Sequence, residues 1–89
     1  MPTYAKLKAG QRQLSQNTTD LGNGQKMVTE VIQTGPNEFL TGNILIDKDG
    51  AVIMGTWCGT CDGTSVGCVD CPNNDPVLNC VNRTISCAS

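Results

Sequence analysis

Six cysteines lie between residues 58 and 87 and none before them, arranged as Cys58-Gly59-Thr60-Cys61, Cys68-Val69-Asp70-Cys71 and the more distant Cys80 and Cys87. Thiols at this density either oxidise in pairs or, as thiolates, hold a metal ion. An even count of six suits three disulfides, each contributing about 2–4 kcal/mol by restricting the unfolded chain. That reading uses every sulfur and tolerates the acidic neighbours Asp62, Asp70 and Asp75. It leaves open both the connectivity and whether each bridge lies within one chain, with Cys80 and Cys87 the better candidates for bridges to a neighbouring copy. The alternative gives Cys58, Cys61, Cys68 and Cys71 to one zinc ion, in an intracellular module that engages a protein or nucleic-acid partner. It leaves Cys80 and Cys87 unused and sets four thiolates among carboxylates, with Arg83 the one cation in residues 58–89.

Two short stretches carry resemblances. Trp57-Cys58-Gly59-Thr60-Cys61 resembles the redox-active pentapeptide of the thioredoxin family, which implies thiol exchange at Cys58 and a helix beginning there. Asp62-Gly63-Thr64-Ser65-Val66-Gly67 follows instead, a run that does not sustain a helix, and Asp62 disfavours a thiolate. Cys58-Gly59-Thr60-Cys61-Asp62-Gly63 also resembles the opening of the cysteine-rich repeat of the DnaJ chaperone family, which implies zinc. Cys68-Val69-Asp70-Cys71-Pro72-Asn73 lacks that repeat's glycine.

Other chemistry is sparse. The chain has no histidine, so the usual general base is missing, and it offers no Ser/His/Asp set, phosphate-binding glycine loop or pair of catalytic carboxylates. A non-enzymatic protein without a small-molecule substrate is expected. Asp47-Lys48-Asp49-Gly50 faintly resembles a calcium loop, but Cys58 stands where a bidentate Glu is required, so a turn is expected. Asn17-Thr18-Thr19 and Asn82-Arg83-Thr84 match the glycosylation pattern and are read as chance in an Asn- and Thr-rich chain.

The elements that must position the sulfurs come from a chain of 89 residues, one small domain with three aromatic side chains, Tyr4, Phe39 and Trp57. Such a core is thin, so cross-links or partner subunits must supplement it. Residues 26–57 are the β-forming part. Lys26–Thr34 is rich in β-branched residues and ends at Gly35-Pro36-Asn37; Asn43–Ile46 and Ala51–Trp57 flank the hairpin signal Asp47-Lys48-Asp49-Gly50. Apolar residues fall on both faces: Ile44 and Ile46 against Leu45, Val52 and Met54 against Ile53 and Trp57. Both faces then need cover, from a sandwich or small barrel or from a neighbouring subunit. Residues 58–89 read as loops ordered by cysteines. The expected fold is mostly β: a small antiparallel sheet or sandwich, an extended N-terminal arm over 1–25, and a cystine-rich, loop-dominated C-terminal segment. A helix over Ala5–Leu14 is disfavoured by Gly10.

Residues 1–26 carry four basic side chains against Asp20, net +3, while residues 27–89 carry two basic and seven acidic, net −5. Tyr4, Lys6, Lys8 and Arg12 are the candidate partner-binding residues of the arm; nucleic acid is not the expected partner. No run of 18 apolar residues exists, and Met1–Lys6 does not open a secretory signal. The sum is a structural subunit of an extracellular or virion assembly, contacting its own copies or a larger structural protein. A phage capsid decoration or linking protein, or a filament subunit, is the expected setting.

Overall fold

A computed structural model describes residues 7–72 and 74–88; Tyr4 and Lys6 lie outside the described residues. Seven strands follow one another: β1 (Arg12–Gly22), β2 (Gln25–Gly35), β3 (Glu38–Ile46), β4 (Val52–Cys61), β5 (Thr64–Asp70), β6 (Pro76–Asn79) and β7 (Thr84–Cys87). β1 to β5 form an antiparallel meander in sequence order, and β6 and β7 form a separate hairpin. The chain is mostly β, as its β-branched runs predict.

Tight turns make the meander. Asp47 accepts from Gly50 N–H through its carbonyl at 3.0 Å, and its carboxylate Oδ1 accepts from the N–H groups of Asp49 and Ala51 at 2.9 and 3.0 Å. Gly50 completes the β3–β4 turn at φ 86°. Asp47 thus works as a turn-former, with its side chain satisfying local backbone donors. At the β1–β2 corner Gly22, Asn23 and Gly24 all take positive φ, a conformation in which an L side chain other than Asn or Asp is strained.

That corner shifts the boundary expected at residue 25. Arg12–Gly22 is a strand paired to β2, from Arg12 opposite Gln33 to Gly22 opposite Gln25, and Leu7 ahead of it packs against the core. Apart from Leu14 and Leu21, which sit exposed at its two register shifts, its side chains are polar toward both faces, so no apolar period marks it; backbone pairing with β2 holds it. Leu7–Leu14 contains no helix. The cystine-rich segment likewise holds more strand than its turn residues suggest, since β4 runs through Cys61 and β5, β6 and β7 follow.

One sheet face is buried. Val28 and Ile32 from β2, Leu40, Ile44 and Ile46 from β3 and Trp57 from β4 form the core with Cys71, while Leu78 and Ile85 of the hairpin pack onto it. Val52 joins this face and Met54 faces the other way, contrary to the simple alternation, because the register shifts between Leu45–Met54 and Ile46–Val52 and leaves Ile53 as a bulge. Trp57, only 2% exposed, lies opposite Gly42, and a Cβ there would stand 2.5–2.7 Å from three atoms of the indole ring. Glu30 is the one buried charged residue of the described core, at 0% exposure between Val28 and Ile32. Its Oε1 accepts from the side-chain amides of Gln13 at 2.6 Å and Gln16 at 3.4 Å on β1. The polar edge strand therefore satisfies a buried carboxyl.

The substitution Gly42→Ala forces the Trp57 ring off its seat. We expect it to cost about 1–3 kcal/mol, read as a lower urea midpoint with a red-shifted Trp57 emission. An unchanged midpoint contradicts the close stacking of Trp57 on Gly42.

Candidate functional site

The six sulfurs are joined as Cys58–Cys68, Cys61–Cys80 and Cys71–Cys87. Strand alternation decides this pattern. Cys58 and Cys61 are three apart on one strand, so their side chains leave β4 on opposite faces. Cys61 enters the core at 1% exposure and meets Cys80 at the β6–β7 turn; Cys58 faces outward and meets Cys68, its cross-strand partner on β5. Cys71, at 4% exposure, takes Cys87 at the end of β7. The two cysteines of the Trp57-Cys58-Gly59-Thr60-Cys61 pentapeptide are thus not a dithiol pair. The four cysteines of the expected alternative zinc site are divided among three different bridges in this structure. The expectation that Cys80 and Cys87 bridge to a neighbour is corrected: each finds a core cysteine of its own chain, because the hairpin folds back over β4.

Glycines on β4 make that fold-back possible. Gly55 and Gly59 flank Trp57 on the same face, and a Cβ at Gly55 would meet the Cys71 carbonyl oxygen at 3.0 Å, one at Gly59 the Leu78 methyl at 2.5 Å. Cys71 N–H donates to the Gly55 carbonyl at 2.6 Å. The chain therefore crosses Gly55 almost in backbone contact, and the hairpin settles on Gly59. Beside the Gly55 crossing lies a half-open cleft of about 130 Å³, lined by Ile44, Val52, Trp57, Cys71, Pro72 and Asn74. It falls short of the roughly 300–1,000 Å³ usual for small-molecule sites.

The opposite face has no second layer among the described residues. Its inventory follows from the register: Met27, Thr29, Val31 and Gln33 from β2, Phe39, Thr41, Asn43 and Leu45 from β3, Met54, Thr56, Cys58 and Thr60 from β4. Cross-strand rows run Met27–Leu45–Met54 and Val31–Thr41–Cys58–Cys68, and Thr29 Oγ1 donates to Asn43 Oδ1 at 3.2 Å. None of these twelve side chains is charged. The acidic and basic residues of the three central strands, Lys26, Glu30 and Glu38, sit in register with core-facing positions. Met54 is 41% exposed, and the other apolar members are half-buried by their neighbours in the sheet.

No family model, curated protein or solved structure matches this chain. The site is therefore defined by its geometry. Of the expected arm residues, Arg12 sits at the start of β1, where its Nε donates to Gln33 Oε1 at 3.2 Å, and Lys8 lies in a turn whose N–H donates to Gln11 Oε1 at 3.1 Å. They do not converge with the cysteines. The signal that sequence reasoning missed is the charge-free face, which needs the β2–β3–β4 register before it can be seen.

Removing Cys61–Cys80 through Cys61→Ser with Cys80→Ser should lower stability by about 3 kcal/mol or more, since the bridge closes a 19-residue separation and leaves a polar atom in the core. Urea denaturation of the double variant, compared with Cys58→Ser/Cys68→Ser, measures it. The second pair should cost distinctly less, and equal costs contradict the division into core and surface bridges.

Proposed function

We propose that this chain is a non-enzymatic structural subunit that assembles through the charge-free face of its sheet, with a second copy as the first partner. The observation that carries the reading is a twelve-position sheet face without a charged side chain. Solvated surfaces are built with interspersed charges, whereas the centres of protein interfaces are depleted of them. The face is also large enough. The twelve positions occupy the three central strands, and the edge strands flank them with Arg12 opposite Gln33 and Asp70 opposite Thr56 as charged rim. Five strands about 4.8 Å apart and about eight residues long give roughly 24 by 27 Å, so two copies face to face would bury ~1,300 Å² with that rim included, within the range of specific interfaces. The uncharged centre does not repel its own copy, and sheet-on-sheet stacking at ~10 Å suits its mix of Thr, Val, Leu and Met.

The three bridges are compatible with an oxidising, extracellular destination, and they give a subunit of this size the rigidity a particle surface demands. A phage capsid decoration or linking protein, or a filament subunit, is the setting we propose, with the larger structural protein as a further partner. Val31→Lys with Leu45→Lys places two like charges on β2 and β3 of the face, one in an inner row and one in the end row. Light scattering after size exclusion should give a dimer or larger for the wild type at ~100 µM, since interfaces of this size bind at micromolar or better, and a monomer with unaltered circular dichroism for the variant. A wild-type monomer at that concentration overturns the reading.

A further inference from the structure

The three bridges differ in what surrounds them. Cys61–Cys80 and Cys71–Cys87 each have one cysteine sealed in the core, at 1% and 4% exposure. In Cys58–Cys68 neither partner is buried: Cys68 is exposed on β5, and Cys58 is half-buried on the open face. This bridge also spans the shortest separation, 10 residues against 19 and 16, so its loss returns the least freedom to the unfolded chain. Its two cysteines face each other directly across paired strands, Cα atoms 4.0 Å apart, and the pairs Trp57–Val69 and Gly59–Gly67 continue the ladder on either side. The strands therefore stay joined when the sulfurs part. Cys80 and Cys87 are half-buried like Cys58, so Cys68 is the one exposed cysteine of the six.

We propose that Cys58–Cys68 is a thiol-exchange site for low-molecular-weight thiols of the glutathione class, open in the free subunit and shielded when a second copy covers the face; the shielding rests on the assembly reading above. Access and the attacking thiolate govern such exchange. The small thiolate attacks Sγ of Cys68, the more exposed partner. A new S–S bond forms there, and the Sγ–Sγ bond to Cys58 breaks with its electron pair remaining on Cys58, which takes a proton from water. A second small thiolate then attacks the small thiol's own sulfur in this mixed disulfide. Cys68 leaves as thiolate, and the oxidised small disulfide departs. In total one protein disulfide is reduced and two small thiols are oxidised. Cys61 does not act as an internal resolving thiol, because it leaves β4 on the other face and is held by Cys80.

The test incubates native protein with reduced glutathione at low and at high protein concentration, quenches with iodoacetamide and maps the alkylated cysteines by peptide mass. At low concentration, Cys58 and Cys68 should be labelled on the order of tenfold faster than the other four, with circular dichroism and Trp57 emission unchanged. Labelling of Cys61, Cys80, Cys71 or Cys87 at the same rate or ahead of them overturns the exchange site. So does a fast phase that persists in Cys58→Ala/Cys68→Ala. At high concentration the fast phase should slow; if it keeps its rate while its preference for Cys58 and Cys68 stands, the shielding and the assembly reading fail and the exchange site survives.

Discussion

Two strands of four residues each do not hold together alone in water, and still less do they hold themselves against a sheet. What keeps β6 and β7 in place is covalent. Cys61–Cys80 and Cys71–Cys87 pin the hairpin at its turn and at its end, directly over Trp57. Once it is pinned, Leu78 and Ile85 reach the sheet and the core of Val28, Ile32, Leu40, Ile44 and Trp57 is closed. The glycines at 42, 55 and 59 are the counterpart of this constraint, since each removes a Cβ where the ring, the Cys71 backbone or Leu78 must lie.

With the second layer spent on one face, the described residues leave none for the other. The two faces consequently differ in kind. One contains the buried carboxyl of Glu30 with its glutamine donors and is sealed by bridges; the opposite one is uncharged across its three central strands and half-apolar, and carries the one bridge with no buried cysteine. Assembly and thiol exchange are both proposals about that second face. They follow from the same shortage of chain.

The legible parts of the sequence were those with strong local signals. The β-branched run ending at Gly35-Pro36-Asn37 and the Asp47-Lys48-Asp49-Gly50 turn mark β2, β3 and the start of β4; apolar residues on both faces call for cover on each, and the β6–β7 hairpin supplies it on one. An even cysteine count beside carboxylates points to bridges, and the six cysteines pair. Less visible was β1: Arg12–Gly22 has no apolar period, so a strand held by backbone pairing and by Gln13 and Gln16 reaching Glu30 looks like a tail. The bulge at Ile53 inverts the phase of Val52 relative to Met54, which no count of alternating residues reveals. β5, β6 and β7 are too short and too rich in Gly, Ser and Asn for propensity to find, and they exist because the sulfurs hold them. Connectivity was hidden for the same reason: it depends on which face of β4 each cysteine leaves.

Proteolytic peptide mapping of the unreduced protein tests that dependence most directly. The account predicts three linked peptide pairs, joining Cys58 to Cys68, Cys61 to Cys80 and Cys71 to Cys87, all within one chain. A peptide closing Cys58 onto Cys61, or Cys80 and Cys87 found bridged between copies, would contradict it.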